Sequence, residues 1–287
     1  MLAFLKNLFS KLGWKKILSF SLILLFMGFV FTYFAQKHIV SLYENQHPVV
    51  IKDRYGNNIA TNPNSKEYYL EPLEQLPENF KDLLLKKEDR FFYYHLGVNP
   101  WSVVRAGIHY LFTRDILGSS TVTQQLTKIL LGNEHERNLK NKIIETFYAT
   151  SLELHQSKND ILTMYANSVH LGNQIQGFSE ASQMYFSLPL ELLNEQQQVQ
   201  LLATISSPSV LNPWKFKNIK ATKNLAEKFE IDIGQPTLAK KEQYSHRSPT
   251  YFELNSMGID CEKTCITTID QQLTEKLREI LKRNIVS

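Results

Sequence analysis

Two carboxylates, Glu88 and Glu145, bracket a run of small, hydroxyl, amide and cationic residues: Gly118-Ser119-Ser120-Thr121-Val122-Thr123-Gln124-Gln125-Leu126-Thr127-Lys128. Carboxylates on either side of a cationic, donor-rich element suit a reaction that deprotonates a hydroxyl and expels a phosphate leaving group. Glu88 opens an aromatic-crowded segment that continues Asp89-Arg90-Phe91-Phe92-Tyr93-Tyr94-His95-Leu96-Gly97. Partial desolvation in such surroundings improves a carboxylate as a base near neutral pH. The plainer reading makes Glu88-Asp89-Arg90 an ordinary charged helix end. Arg137, Asn141 and Glu145 are spaced i, i+4, i+8 and so share one helix face. There Glu145 is a second acid, a metal ligand, or simply a surface glutamate. Lys128 and Lys142 are compact cations suited to phosphate oxygens, or else solvated lysines; Ser120, Thr121 and Gln125 offer donors to an oxyanion.

Helices must position these groups. Leu76 to Lys87 is amphipathic, Trp101 to Phe112 is apolar and aromatic, and residues 138 to 155 repeat apolar side chains at helical spacing, Ile143 with Phe147 and Ile144 with Tyr148 and Leu152. Asp160 to Asn167 and Glu195 to Ile205 read as further helices, the last stopped by Ser207-Pro208 and Asn212-Pro213. No alternating pattern persists between 71 and 215, so the expected fold is mainly α. Val49-Val50-Ile51 reads as a strand entering a turn at Asp53 to Asn58, and Asn62-Pro63-Asn64-Ser65 as a loop. After about 220 the chain is polar and mixed. It ends in a strand over Ile266 to Asp270 and a helix over Gln272 to Lys282.

The 287 residues carry 32 Lys+Arg against 28 Asp+Glu, a net charge of +4. That excess is too small to argue for nucleic acid, and no basic stripe with interleaved aromatics is present. Part of it is N-terminal, as Lys6, Lys11, Lys15 and Lys16, and the next 19 residues, Ile17 to Ala35, carry no charge. Such a run spans the hydrocarbon core of a bilayer, is long for a cleaved leader, and is followed by no clear small-x-small cleavage site. The lysines before it place the N-terminus in the cytoplasm and the rest outside. Cys261 and Cys265, the only cysteines, permit a small disulfide loop or two unpaired thiols, and make a poor metal site.

Order and spacing together resemble the peptidoglycan glycosyltransferases: the lysozyme-like domain of class A penicillin-binding proteins and their monofunctional relatives. The family's motifs recur in sequence. The first is matched by Glu88-Asp89, Phe92, His95 and Gly97, and the second by Gly118, Ser120-Thr121, Gln124-Gln125 and Lys128. Arg137, Lys142, Glu145 and Leu152-Glu153 match the third. Lys158, Ile161-Leu162, Tyr165, Asn167, Gly172, Gly177, Ala181 and Tyr185-Phe186 match the fourth, and Leu202-Ala203, Pro208-Ser209 and Asn212-Pro213 the fifth. The resemblance covers roughly 49 to 215.

It implies a mainly α, lysozyme-like two-lobed domain behind one transmembrane helix. Glu88 is implied as the base that deprotonates the sugar 4-hydroxyl of lipid II, which attacks the anomeric carbon of the growing lipid-linked glycan. Inversion gives a β-1,4 link and releases undecaprenyl pyrophosphate. Glu145, with nearby cations and a divalent metal ion (Mg or Mn), is implied to stabilise the departing pyrophosphate. Asp89, Phe92, His95, Ser120, Thr121, Gln125, Lys128, Arg137 and Lys142 are implied as substrate- or phosphate-binding. Implied partners are lipid II, the glycan, the membrane and other cell-wall synthesis proteins, with no nucleic acid. The implied location is the inner membrane, with the catalytic domain on its outer face and Ile108 to Leu117 dipping into the bilayer surface.

Departures from the pattern are Asn141 where an arginine is usual, Ala166 with the polar Asn173-Gln174-Ile175-Gln176, and Gln198 for a glutamate. Asn141 favours the rival reading, a catalytically weak membrane-anchored scaffold. A lysozyme-like hydrolase shares the fold and leaves the anchor and the cations unexplained. There is no Ser-x-x-Lys, so no transpeptidase activity is expected, although Thr267 to Leu273 resembles the lead-in to a transpeptidase. The expected divisions are a basic segment to 16, a span over 17–36, a stalk over 37–70, the glycosyltransferase domain over 71–220 and a tail over 221–287.

Overall fold

The computed structural model describes residues 14–48, 50–56, 58–101, 104–105, 108, 112, 120–132, 138–240 and 265–285. Helix α1 (Trp14–Glu44) is followed by strands β1 (Val50–Lys52) and β2 (Asn58–Thr61) and helix α2 (Glu78–Glu88). Then come α3 (Val122–Leu130), α4 (Leu139–His155), α5 (Lys158–Ser168), α6 (Phe178–Phe186), α7 (Glu195–Thr204) and α8 (Phe216–Phe229), and finally strand β3 (Cys265–Ile266) and helix α9 (Gln271–Ile285). The mainly α expectation holds.

Helix starts follow from capping chemistry. Thr121 caps α3 through a reciprocal box with Gln124, Asn194 caps α7 the same way with Gln197, and Asn138 and Ser157 accept the Asn141 and Asp160 amides at the starts of α4 and α5. The core is one apolar cluster that draws Phe80 and Leu84 from α2, Leu126 from α3, Leu152 from α4, Tyr165 from α5, Phe178 from α6 and Leu202 from α7. Helix α3, fully engaged on both sides, packs against α4 and α5.

The division into span, stalk, domain and tail differs from the expected boundaries. Helix α1 runs on to Glu44, because Ile39 is fully buried in the core while Leu42 and Tyr43 pack against it, so 37–44 is helix and not stalk. The position 220 falls inside α8, whose Leu225, Ala226 and Phe229 are buried; Ile231, Ile233 and Ala239 pack on the same core. Residues 265–266 do not trail away either. Strand β3 adds in parallel to β1, pairing Ile51 with Cys265, while β2 pairs antiparallel to the other edge of β1. Arg54 fastens this join through Thr268 O, at 2.8 Å from its Nε. Cys265 is disulfide-bonded, and Cys261 lies outside the described residues.

Within α1, Leu18–Glu44 is long and apolar enough to cross a membrane, with a mean hydropathy of 2.1 over its most apolar window. Leu22 to Met27 are exposed on every side of it. Nearer the domain, the helix lies along α4: Phe29 sits 4.8 Å from the His155 ring, Phe31 5.2 Å from Phe147, and Thr32 Oγ1 3.0 Å from His155 Nε2.

Candidate active site

Glu88 is the last residue of α2, where the helix gives way to Asp89 in an extended conformation. Its side chain is 14% exposed and both oxygens are held: Oε1 by the Lys87 ammonium, Oε2 by Gln125 Nε2 at 2.9 Å. Gln125 is itself oriented, accepting a bond from the Tyr165 hydroxyl at 2.9 Å. Burial, and after it the Glu88 charge, push the Tyr165 phenol well above its ordinary range, so it stays a donor. Two cavities of about 640 and 560 Å³ meet at this carboxylate, and Lys87, Glu88 and Lys228 line both.

Asp89 turns the other way, into the protein. Its oxygens accept from His95 Nε2 at 3.0 and 3.1 Å and from the Val122 amide, at the N-terminus of α3, at 3.0 Å. A carboxylate there satisfies an orphan amide and complements the helix dipole. The His95 carbonyl accepts from Lys158 Nζ at 2.7 Å; that ammonium lies 4.3 Å from the centre of the Phe92 ring and pairs with Glu153, which also takes the Thr123 hydroxyl at 2.6 Å. Helices α3, α4 and α5 are thereby pinned around the end of α2. Gly97 completes the join. It holds φ +81°, and a Cβ there would lie 2.8 Å from the Ala149 carbonyl in α4.

The second carboxylate, Glu145, is buried on α4. Lys142, one turn earlier, places its Nζ 3.4 Å from Glu145 Oε2, 2.8 Å from Ser120 Oγ and 3.3 Å from Gln124 Oε1. Ser120 lines the larger cavity. Adjacent glutamines of α3 therefore reach both acids, Gln125 to Glu88 and Gln124, through Lys142, to Glu145. Glu88 lines both cavities and Glu145 neither, so the link between them runs through the side chains of α3.

The transglycosylase family model matches residues 55–230. The chain belongs to the transglycosylase family. It is 38% identical over 232 residues to penicillin-binding protein 1B of Escherichia coli (strain K12), covering 78% of this chain and 27% of that protein. Penicillin-binding protein 1A of Aquifex aeolicus (strain VF5) is 30% identical over 260 residues, 81% of this chain and 36% of the relative. Penicillin-binding protein 4 of Bacillus subtilis (strain 168) is 34% identical over 178 residues, 61% and 28% respectively. The chain thus spans about a quarter to a third of the length of these curated relatives. A crystal structure of penicillin-binding protein 1A from Haemophilus influenzae superposes with a TM-score of 0.36 at 16% identity over 74% of this chain and 24% of that one.

Within the transglycosylase domain, the expected site residues divide into two groups. Glu88 and Ser120 line the larger cavity, and Gln125 lines the smaller one beside Glu88. Lys142 reaches Ser120, and Lys128 forms no hydrogen bond or ion pair among the described residues. Asp89 and Thr121 also line the larger cavity, with their side-chain oxygens bonded within the protein, while Phe92 and His95 are buried and line neither cavity. The Thr121 hydroxyl donates to Gly97 O at 2.6 Å and accepts from the Gln124 amide, so it builds the α3 cap and leaves nothing for an oxyanion. Arg137 lies outside the described residues. Asn141 is buried, its amide nitrogen bonded to the Asn138 cap at 2.7 Å.

The donor set does not make a metal cage. Among the described residues no three His, Cys, Asp or Glu side chains gather, and the carboxylate of Glu145 already faces an ammonium. Charge at this end of the transglycosylase site is balanced by lysine. The motif reading gave no role to Lys87, Tyr165 or Lys228. The first had a signal, a cation adjacent to the proposed base. Tyr165 stood in the fourth motif without a role, and Lys228 lies in α8, far along the chain from Glu88.

Proposed function

We propose that this chain is a peptidoglycan glycosyltransferase that polymerises lipid II into β-1,4 glycan with inversion, releasing undecaprenyl pyrophosphate. The observation that carries this reading is the Glu88 carboxylate at the junction of two cavities, each large enough for sugar rings. Family membership supports it. In this reading a sugar 4-hydroxyl approaches Glu88, whose carboxylate is fixed by Gln125 and Lys87 and takes the proton as the oxygen attacks the anomeric carbon. The bond to the pyrophosphate breaks as the new one forms, and the negative charge that develops on the leaving oxygens meets Lys142, Lys128 and Ser120. Glu145 holds Lys142 in position.

A lipid-linked substrate also accounts for the apolar features. Helix α1 anchors the chain, and Trp101, Val104, Ile108 and Phe112, all exposed at helical spacing, form a stripe suited to the bilayer surface. We place the domain on the outer face of the inner membrane, following the lysines before the span.

The test is Glu88→Gln in the full chain, in micelles with labelled lipid II. Loss of the base should slow polymerisation by about 10²–10⁴-fold; polymer formed at the parent rate would refute the assignment. The scaffold reading draws on Asn141, which supplies no cation. It predicts lipid II binding without polymer in the parent chain.

A further inference from the structure

We propose that Lys228 is a substrate-binding residue, a cation that holds an oxyanion of the substrate where the two cavities meet beside Glu88. This rests on the glycosyltransferase reading and deepens it: none of the motifs includes Lys228, and helix α8 follows them all.

Three side chains are common to both cavity linings, Lys87, Glu88 and Lys228. The Lys87 ammonium is committed to Glu88. Lys86, beside it in the larger cavity, is committed as well, donating to Phe229 O at 2.6 Å and lying 5.2 Å from the Phe229 ring. Lys228 is exposed and has no hydrogen bond or ion pair among the described residues. The larger cavity adds Arg90 and Arg105, and its carboxylates are Glu88 and Asp89, the latter spent on His95 and the Val122 amide. Glu227 and Glu230, the acidic neighbours of Lys228 in sequence, line neither cavity. What remains is a positive field around one reactive carboxylate, the surroundings an anion seeks.

The position is also well supported mechanically. Lys86 ties down the C-terminal carbonyl end of α8, where a cation is favoured by the helix dipole. The backbone of Lys228 is therefore fixed, while its four-carbon stem can swing its ammonium toward either cavity. Near Glu145, Asn141 stands where a cation was expected; Lys228 supplies one at the Glu88 end of the cleft. Its partner is an oxyanion, from a substrate phosphate or from a stem-peptide carboxylate.

The experiment compares the parent chain with Lys228→Met and Lys228→Arg in micelles. One arm measures inorganic pyrophosphate binding by calorimetry. The other measures kcat and KM with lipid II and with lipid II amidated at its peptide carboxylates. Lys228→Met should raise KM for lipid II about five- to tenfold, a larger effect than on kcat, and Lys228→Arg should restore it to within about twofold. For a phosphate partner, pyrophosphate binding weakens in parallel and the amidated substrate shows the same rise. For a carboxylate partner, pyrophosphate binding is unchanged and the rise vanishes on amidation. Unchanged KM on both substrates with unchanged pyrophosphate binding would overturn the proposal. A parent chain that makes no polymer refutes the glycosyltransferase reading alone. Calorimetry with pyrophosphate and with lipid II then decides this one: weaker binding of either by Lys228→Met upholds it, and equal binding of both ends it.

Discussion

Glu88 is oriented by a relay, Tyr165 to Gln125 to carboxylate, with Lys87 on the remaining oxygen. The relay matters because a base that must meet one hydroxyl loses rate when it can rotate away. Tyr165→Phe removes the hydroxyl that fixes Gln125 and leaves the ring in the core. The expected result is a fall in kcat of about tenfold with a smaller change in KM, measured on labelled lipid II. A matching pH dependence follows from the phenol. Its native pKa is raised above the ordinary 10.0 by burial and then by Glu88, so the native state favours its protonated form. That stabilisation is fully present below the ordinary value and is lost as pH climbs through the raised one. Burial raises the Tyr43 and Tyr185 phenols too, so just above pH 10 tyrosinate absorbance should show at least three phenols fewer ionised in the native parent than in the unfolded chain. In Tyr165→Phe the deficit should shrink by one.

At the level of elements, α3 is the member on which the site depends. Its N-terminus receives Asp89, its cap donates to Gly97 O, and its paired glutamines reach the two acids. Thr121→Ala deletes the capping box and should cost about 1 kcal/mol in thermal or denaturant unfolding. Gly97→Ala should cost more, about 1–3 kcal/mol, because the positive φ penalises any Cβ and the Ala149 backbone blocks its space. Equal costs for the two variants would show that the loop simply moves away from α4. Activity should fall further than stability in both, since each displaces α3 relative to the end of α2.

For the whole molecule, the apolar helix does more than tether the domain. The lower part of α1 contributes Ile39 to the core, and its Phe29 to Tyr33 segment covers the side of α4 whose opposite end carries Lys142 and Glu145. Helix α4, which carries Lys142 and Glu145, thus stands against the helix that is long and apolar enough to cross a membrane. The full chain should float with phospholipid vesicles on a density gradient. A chain begun at His38, which retains Ile39, should float less and unfold at a lower temperature, because Phe147 and His155 lose their cover. Equal flotation of both would locate the membrane contact in the Trp101 to Phe112 stripe.

Much of this was legible in the linear chain. Periodic apolar residues gave α2, α4, α5 and α7 within a few positions, because those helices bury one face against a single core. The candidate acids Glu88 and Glu145 and the lysines near them were legible too, since groups able to do this chemistry must be of particular chemical types. The strand β2 and helices α3, α6 and α8 were not read as elements. β2 is four residues long and α3 and α6 are nine each, too short to repeat a period, and α3 buries the polar Thr123, Gln124 and Thr127 beside its apolar side chains. The sequence by itself determined which groups are available for the chemistry. Only the tertiary structure bound Asp89, His95 and Thr121 into the join between helices and left Glu88 where two cavities meet, and only it carried Lys228 and the β3 strand back from distant positions. Such choices depend on which neighbour satisfies each buried polar atom, and that neighbour comes from another part of the chain.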